Sequence, residues 1–234
     1  MNIHIKVFSF IYKIAFCIRN GIWLKGSLYR SRIKGVSTNA LRIDGDYINS
    51  QIEYRGNGNS VNLHGNIYDC SIKIDGCENK IIIEKGCIIR CKEIWVRGSN
   101  CEIVINENTK IMGYSVFVCQ GSHNYIHIGK DCLFSTNVQI WNSDTHTILN
   151  SDGEVLNSCK PIVIKDHVWL GQNVSVLKGV SIGECSIVGM SSVVTKPIQK
   201  HSVAVGNPAK RSGECDNWNI DYVMKTSTDL FDKE

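Results

Sequence analysis

The sequence predicts an all-β solenoid, and a strict repeat in its C-terminal half carries that prediction. From residue 164 to residue 199 an aliphatic residue recurs every six positions, and a small or β-branched residue follows each one four positions later. A period of six suits neither a helix with 3.6 residues per turn nor an isolated hairpin. It fits a three-sided prism in which each side takes one repeat. The recurring aliphatic residues are Ile164, Leu170, Val176, Ile182, Val188 and Val194.

Strand geometry assigns these residues to the interior of the prism. Each residue at the fourth position lies two before the next aliphatic residue, so alternation sends both to the same face of a strand. Gly171, Gly183 and Gly189 directly follow three of the aliphatic residues. We expect these glycines at the corners, where a tight turn requires a positive φ.

A looser repeat precedes the strict one. Gly56, Gly76, Gly98 and Gly121 are each followed, five and seven positions later, by aliphatic residues. The glycine spacings of 20, 22 and 23 indicate coils of the same kind with short insertions at their corners. The sequence therefore predicts one solenoid domain over residues 35–205, with irregular early coils.

The strict repeat is interrupted by one long segment. The six-residue spacing is regular up to Ile140 and resumes at Ile164. Residues 142–160 between them are mostly polar, and a loop of this length ejected from a solenoid is functional or disordered. After the last repeat, residues 206–234 predict a turn-rich exit and a short helix that caps the open end.

The N-terminal region differs in charge from the rest. Residues 1–34 predict a basic arm, because the first 43 residues hold eight lysines and arginines and no acidic residue. A narrow polar stripe at helical spacing, formed by Asn2, Lys6, Ser9, Lys13 and Asn20, predicts an amphipathic helix in this arm. This arm either packs on the prism or a neighbouring subunit, or lies on an anionic inner-membrane surface. Lys6 and Lys13 interrupt its apolar stretch, which argues against a membrane-spanning helix. The net charge of +4 is too mild to predict nucleic-acid binding.

Cysteine usage favours a cytoplasmic protein with reduced thiols. The chain has 11 cysteines, an odd number, and no CxxC pair. Several lie within the repeats, where a small apolar side chain fits a narrow interior. We expect no bound metal.

Four motifs resemble those of a known family. They occur at Ser143–His146, Asp166–Gly171, Val193–Lys196 and Gly206–Lys210, in the order and spacing of the hexapeptide-repeat acyltransferases. The resemblance covers about residues 40–211. It implies a left-handed parallel β-helix that acts as a homotrimer on acyl-CoA. Within this family the chain is most similar to O-acetyltransferases of bacterial surface polysaccharides, including sialic acid capsules.

The resemblance implies a reaction centre around His146. Removing a proton from a sugar hydroxyl suits histidine, whose ordinary pKa is about 6.5. The implied mechanism is direct attack of the sugar oxygen on the thioester of acetyl-CoA, without an acyl-enzyme. Asp144 is a candidate to orient the imidazole. Trp169, which alternation directs outward, is expected near the acyl or acceptor position.

The resemblance also implies where coenzyme A binds. Small residues would line a groove for its pantetheine arm, cations would meet its phosphates, and a proline turn would pack near its adenine. The candidates are Gly171 and Ser191 for the groove, Lys178, Lys196, Lys210 and Arg211 for the phosphates, and Pro208 for the adenine.

Three other functions compete with this prediction. The first is an acetyltransferase for another small acceptor, such as an amino sugar nucleotide, serine or an antibiotic. The second is a non-catalytic solenoid used for binding. The third is a γ-class carbonic anhydrase, which has the same fold, and His123 and His127 raise that possibility. A third zinc-binding histidine at a matching position is not apparent.

Overall fold

A computed structural model describes residues 2–4, 22–36 and 38–221, and all regular structure in these ranges is β-strand. The chain winds as a parallel β-solenoid of about eight turns. Successive strands pass in turn through three ladders, which we call A, B and C. The all-β solenoid that the repeat predicts is therefore confirmed in this part of the chain.

Each ladder stacks one strand from every coil, in register and parallel. Ladder A contains β4 (Arg32–Lys34), β7 (Gln51–Arg55), β10 (Ser71–Cys77), the second halves of β12 (Ile88–Ser99) and β14 (Lys110–Ser122), β17 (Gln139–Trp141), β20 (Ser175–Leu177) and β23 (Val193–Val194). Ladder B contains β2 (Ile22–Leu24), β5 (Ala40–Ile43), β8 (Ser60–Leu63), β11 (Lys80–Ile83), β13 (Glu102–Ile105), β15 (Tyr125–Ile128), β18 (Ile162–Ile164) and β21 (Ser181–Ile182). Ladder C contains β3 (Leu28–Tyr29), β6 (Tyr47–Ile48), β9 (Asn66–Tyr68), the first halves of β12 and β14, β16 (Leu133–Phe134), β19 (Trp169–Leu170), β22 (Ile187–Val188) and β24 (Ser202–Val205).

The interior of the prism is a continuous aliphatic column. All six aliphatic leaders of the strict repeat are at most 1% exposed. Phe117 and Phe134 stack across neighbouring coils with ring centroids 6.5 Å apart. Burying each such side chain contributes about 1.5–3 kcal/mol, which makes this column the main source of stability.

The expectation that the corner glycines adopt a positive φ is wrong. Gly171 and Gly183 do not adopt a positive φ; instead Asn173 and Cys185, two residues later, have φ of 59° and 54°. The glycines are required by close contact with the next coil, since a Cβ at Gly183 would lie 2.3 Å from the backbone nitrogen of Lys200. The glycine leaves room for the backbone of the next coil, and the residue two positions after it adopts the positive φ of the turn.

Asparagine side chains form a buried polar column inside the corner between ladders A and B. Asn59 is 1% exposed, and its Oδ1 accepts the backbone N–H of Asn79 at 3.0 Å. Its Nδ2 donates to Asn39 Oδ1 at 3.0 Å and to the Gly76 carbonyl at 2.9 Å. Each side-chain amide thereby forms hydrogen bonds with backbone groups of the adjacent coils that have no backbone partner at this corner.

Antiparallel strands lie at both ends of the stack. β1 (Asn2–His4) pairs with β4, and β25 (Lys210–Glu214) pairs with β24. The solenoid starts earlier than residue 35, because β2 already pairs with β5 in ladder B. Most of the expected N-terminal helix, residues 5–21, lies outside the described residues, and the described residues 2–4 are strand. The expected C-terminal helix is not present over residues 216–221, and residues 222–234 lie outside the described part.

Membrane crossing by a helix finds no support in the described ranges. Within them, no helix has the length and apolar character to span a bilayer.

The cysteines of these ranges are free thiols. Cys70 and Cys91 lie on adjacent coils with their sulfurs 2.8 Å apart, and both are buried.

Replacing Asn59 with alanine should destabilise the solenoid by about 2–4 kcal/mol, because the Asn79 N–H and the Gly76 carbonyl lose their buried partner. Urea unfolding followed by circular dichroism measures the change. Asn62→Ala, on the outward face of the same coil, is the matched control and should stay within about 0.5 kcal/mol of the parent. Equal effects of the two substitutions would contradict a structural role for the column.

Candidate active site

The segment ejected from the repeats, residues 142–160, is an ordered hairpin at the corner between ladders A and B. Its two ends meet, because Lys160 N donates to the Asn142 carbonyl at 3.0 Å. Asn142 is fully buried, and its amide exchanges hydrogen bonds with the backbone of Gln120 on the coil above. Leu149 and Val155 form an antiparallel bridge near the tip. The loop is therefore held in a fixed position, as a catalytic loop requires.

His146 lies on the first arm of this hairpin and is exposed. Its backbone N–H donates to the Asp144 carbonyl at 2.7 Å, and its own carbonyl accepts Asn157 Nδ2 at 2.8 Å. These two contacts fix the backbone of His146. Its imidazole forms no hydrogen bond within the part of the chain that the structure describes, so the ring is available to a ligand.

Asp144 has different partners from the one expected. Its carboxylate accepts hydrogen bonds from Lys178 Nζ and from Asn157 Nδ2, the latter at 2.8 Å, and not from the imidazole of His146. Lys178 Nζ also donates to the Asn157 carbonyl at 3.1 Å. The hydrogen bond from Lys178, then the bond from Asn157 and, to a smaller extent, the positive charge of Lys178 lower the pKa of the Asp144 carboxyl below its ordinary value. Asp144 thus ties the hairpin to the next coil.

Asn157 is a site residue that the sequence did not reveal. It lies on the second arm of the hairpin, and its side chain binds the first arm, because Oδ1 accepts the Ile148 N–H at 2.7 Å while Nδ2 donates to Asp144 and to the His146 carbonyl. It lies 11 residues from His146 in sequence, within a segment that has no repeat. No periodic signal could have paired the two residues.

A second group of candidates lies elsewhere on the prism. Trp169 points outward from ladder C, as alternation predicts, and is 37% exposed. Gly171 and Ser191 occupy successive coils of the corner between ladders C and A, joined by the bond from Ser191 N to the Gln172 carbonyl at 2.8 Å. The remaining members lie at the lower end of ladder C: Pro208 in the turn after β24, and Lys210 and Arg211 on β25.

The two groups are separated within one chain. Asp144, His146, Lys178 and Lys196 share the corner between ladders A and B, whereas the Trp169 group lies on ladder C and its corner with ladder A. Ala209 N donates to the Val193 carbonyl at 2.8 Å, so the turn that precedes Lys210 lies against the strand that precedes Lys196. Arg211 is itself paired with Glu214 at 2.7 Å.

Trp218 is a second residue that the sequence analysis did not assign to the site. Its indole stacks on the imidazole of His167, with centroids 4.3 Å apart and planes 8° apart, and lies 6.0 Å from the ring of Trp169. Its Nε1 donates to the His167 carbonyl at 2.8 Å. The segment 215–221 thus brings a tail residue into contact with the outward face of ladder C.

One of the two histidines considered for zinc, His127, has other partners in the structure. His127 Nε2 contacts Glu102 Oε1 at 2.7 Å, and its ring stacks on Tyr125. In the ranges that the structure describes, no three His, Cys, Asp or Glu side chains are grouped so that they could hold a metal ion.

Comparison with known proteins identifies the repeat. Residues 161–196 match the bacterial transferase hexapeptide family, described as six repeats. The chain thus carries the hexapeptide repeat of bacterial transferases, and the resemblance that its motifs indicated is confirmed.

Two relatives by sequence are acetyltransferases in name. The polysialic acid O-acetyltransferase of Neisseria meningitidis is 32% identical over 133 residues, which are 56% of this chain and 60% of that protein. A Schizosaccharomyces pombe protein provisionally described as an acetyltransferase is 38% identical over 92 residues, 39% of this chain and 44% of that protein. The chain spans about half the length of these relatives.

Two solved structures share the fold over most of the chain. The polySia-specific acetyltransferase NeuO is 26% identical with a TM-score of 0.69, covering 89% of this chain and 85% of that one. The polysialic acid O-acetyltransferase OatWY is also 26% identical, with a TM-score of 0.64 and coverage of 89% and 94%.

Replacing Lys178 with methionine should raise the pKa of Asp144 toward its ordinary value of 3.8. In the parent protein the pKa of Asp144 is lowered. The stabilisation from the Asp144–Lys178 ion pair is therefore fully present above pH 3.8 and is lost as the pH falls through the lowered pKa. A carboxyl carbon NMR titration measures the shift. Lys196→Met, on the same corner one coil later, is the control; an unchanged Asp144 pKa in Lys178→Met would show that the ion pair does not form.

Proposed function

We propose that this protein is an acetyl-CoA-dependent O-acetyltransferase that modifies a sugar hydroxyl of a bacterial surface polysaccharide. The observation that carries the proposal is the position of His146 on an anchored hairpin, with its backbone fixed and its imidazole free. The relatives that act on polysialic acid, by name, support a saccharide acceptor.

In the proposed reaction, the imidazole of His146 accepts the proton of the sugar hydroxyl as its oxygen attacks the acetyl carbonyl. The C–S bond of the thioester then breaks, the protonated imidazole gives its proton to the departing sulfur, and coenzyme A leaves as its thiol while the acetyl group stays on the sugar oxygen. Asp144, Lys178 and Asn157 act as positioning residues, because they hold the hairpin and not the imidazole. General-base catalysis of this kind contributes about 10²–10⁴-fold to the rate.

A second copy of the chain would complete the site. His146 and the proposed coenzyme groove at Gly171 and Ser191 lie on different corners of one prism, so a cleft that contains both needs two prisms side by side. Exposed apolar side chains support this arrangement, since a monomer would leave them in water. On the hairpin they are Ile148, Leu149, Val155 and Leu156, at 55–63% exposure, and beside the groove Met190, at 66%. We propose a homotrimer in which each hairpin lies against the groove of its neighbour.

His146→Asn should lower kcat by about 10²-fold or more, because asparagine cannot accept the proton. The assay supplies acetyl-CoA and a sialic acid oligomer and follows release of the coenzyme A thiol. His123→Asn, an exposed histidine on the same corner one coil earlier, should leave kcat unchanged. Full activity of His146→Asn would end the proposed mechanism.

Mixing two inactive variants tests the shared site. His146→Asn and Trp169→Ala subunits, coexpressed in equal amounts, should recover about a quarter of parent activity, because each site takes its histidine from one subunit and its groove from another. Different affinity tags on the two variants, captured one after the other, confirm that both subunits share an oligomer. Recovery close to zero in mixed oligomers would place both residues of each site in one chain.

A further inference from the structure

A half-open cavity of about 220 Å³ lies under the C-terminal segment, beside ladder C. Its apolar walls come from Leu133, Trp218 and Ile220, and its polar rim includes Asn108, Lys110 and Asp131. At about 30 Å³ per water it holds roughly seven water molecules. That is less than the 300–1,000 Å³ of a site for a whole drug-sized ligand, so it fits part of a longer molecule.

The cavity is aligned with Trp169. Lys110, Leu133 and Trp169 are successive in-register partners on ladder C, so the cavity begins one coil above the Trp169 side chain. At the strand spacing of about 4.8 Å, Lys110 lies roughly 10 Å from Trp169 along the prism. The proposed coenzyme residues Ser191 and Pro208 lie on the opposite, later side of Trp169. An acceptor that meets the thioester at Trp169 would therefore extend toward the cavity.

The chemistry of the walls matches a sugar ring. Trp218 is held rigidly by its stack on His167 and its hydrogen bond to the His167 carbonyl, and a fixed indole offers an apolar face to the C–H side of a pyranose. The side chains of Asn108, Lys110 and Asp131 form no hydrogen bond or ion pair with any group that the structure describes. Amide and carboxylate groups bind hydroxyls, and an ammonium binds an acidic sugar.

We propose that this cavity is an acceptor subsite that binds one ring of an acidic saccharide next to the ring that is acetylated. The subsite rests on the proposed function, since it extends the acceptor site of that reaction. Trp218 provides the stacking face, Lys110 the positive charge, and Asn108 and Asp131 the hydroxyl partners.

Removing the stacking face tests the subsite. Trp218→Ala should raise the KM for a sialic acid trisaccharide about tenfold and leave the KM for acetyl-CoA within about twofold, while Trp218→Phe should restore most of the loss. Trp23→Ala, an exposed tryptophan on ladder B, is the matched control and should change neither constant. Thermal melting checks that each variant folds. If Trp218→Ala does not fold, Lys110→Gln is used in its place and should weaken the acidic trisaccharide but not neutral maltotriose.

Direct binding separates this proposal from the proposed function. Saturation-transfer NMR with the trisaccharide and without acetyl-CoA should show contact in the parent and in His146→Asn, and a reduced signal in Trp218→Ala. Binding without any acetyl transfer would overturn the proposed function, and with it the acceptor role of the cavity, and would leave the cavity as a saccharide-binding site. Acetyl transfer with an unchanged trisaccharide KM in Trp218→Ala, or a raised KM for acetyl-CoA instead, would overturn the subsite alone.

Discussion

Backbone hydrogen bonding between successive coils is the constraint on which the rest of the structure depends. Because the three ladders are parallel, the strand positions of one coil lie over the equivalent positions of the next, apart from two register shifts between β12 and β14. A buried polar side chain is then satisfied by groups of the adjacent coils, as when Asn59 donates to Asn39 Oδ1 and to the Gly76 carbonyl and accepts the Asn79 N–H. The same stacking leaves no room for a Cβ at Gly183.

This constraint also determines where chemistry can be located. The faces are rigid and regular, so variation enters at the corners, and the hairpin that carries His146 is the largest corner insertion in the described residues. Buried Asn142 joins it to the regular stack, and Asp144 joins it to Lys178 on the next coil. The corner that carries His146 and the corner that carries Gly171 and Ser191 face different directions on one convex prism, so one chain alone cannot place both against the same substrate. The proposed chemistry and the proposed assembly therefore depend on each other.

The fold was predictable from the sequence because a period of six residues identifies the inward positions. Leu170 and Val176 are buried as the repeat requires, and the segment 142–160 leaves the stack where the repeat breaks. The site was less predictable. The repeat marks Gly171 as a corner residue but does not show that the positive φ falls at Asn173. Outside the repeats, nothing in the sequence connects Asn157 with His146 or Trp218 with His167.

The two antiparallel strands at the extremes of the solenoid have a consequence for its growth. A parallel stack has no intrinsic length, and its last exposed backbone groups would template another chain. Here β1 reverses direction on the first strand of ladder A, and β25 does so on the last strand of ladder C. A reversed strand offers the wrong hydrogen-bond pattern to a further parallel coil. In the described part of the chain, β1 and β25 therefore occupy the first edge of ladder A and the last edge of ladder C, and growth by a further parallel coil stops at these two edges.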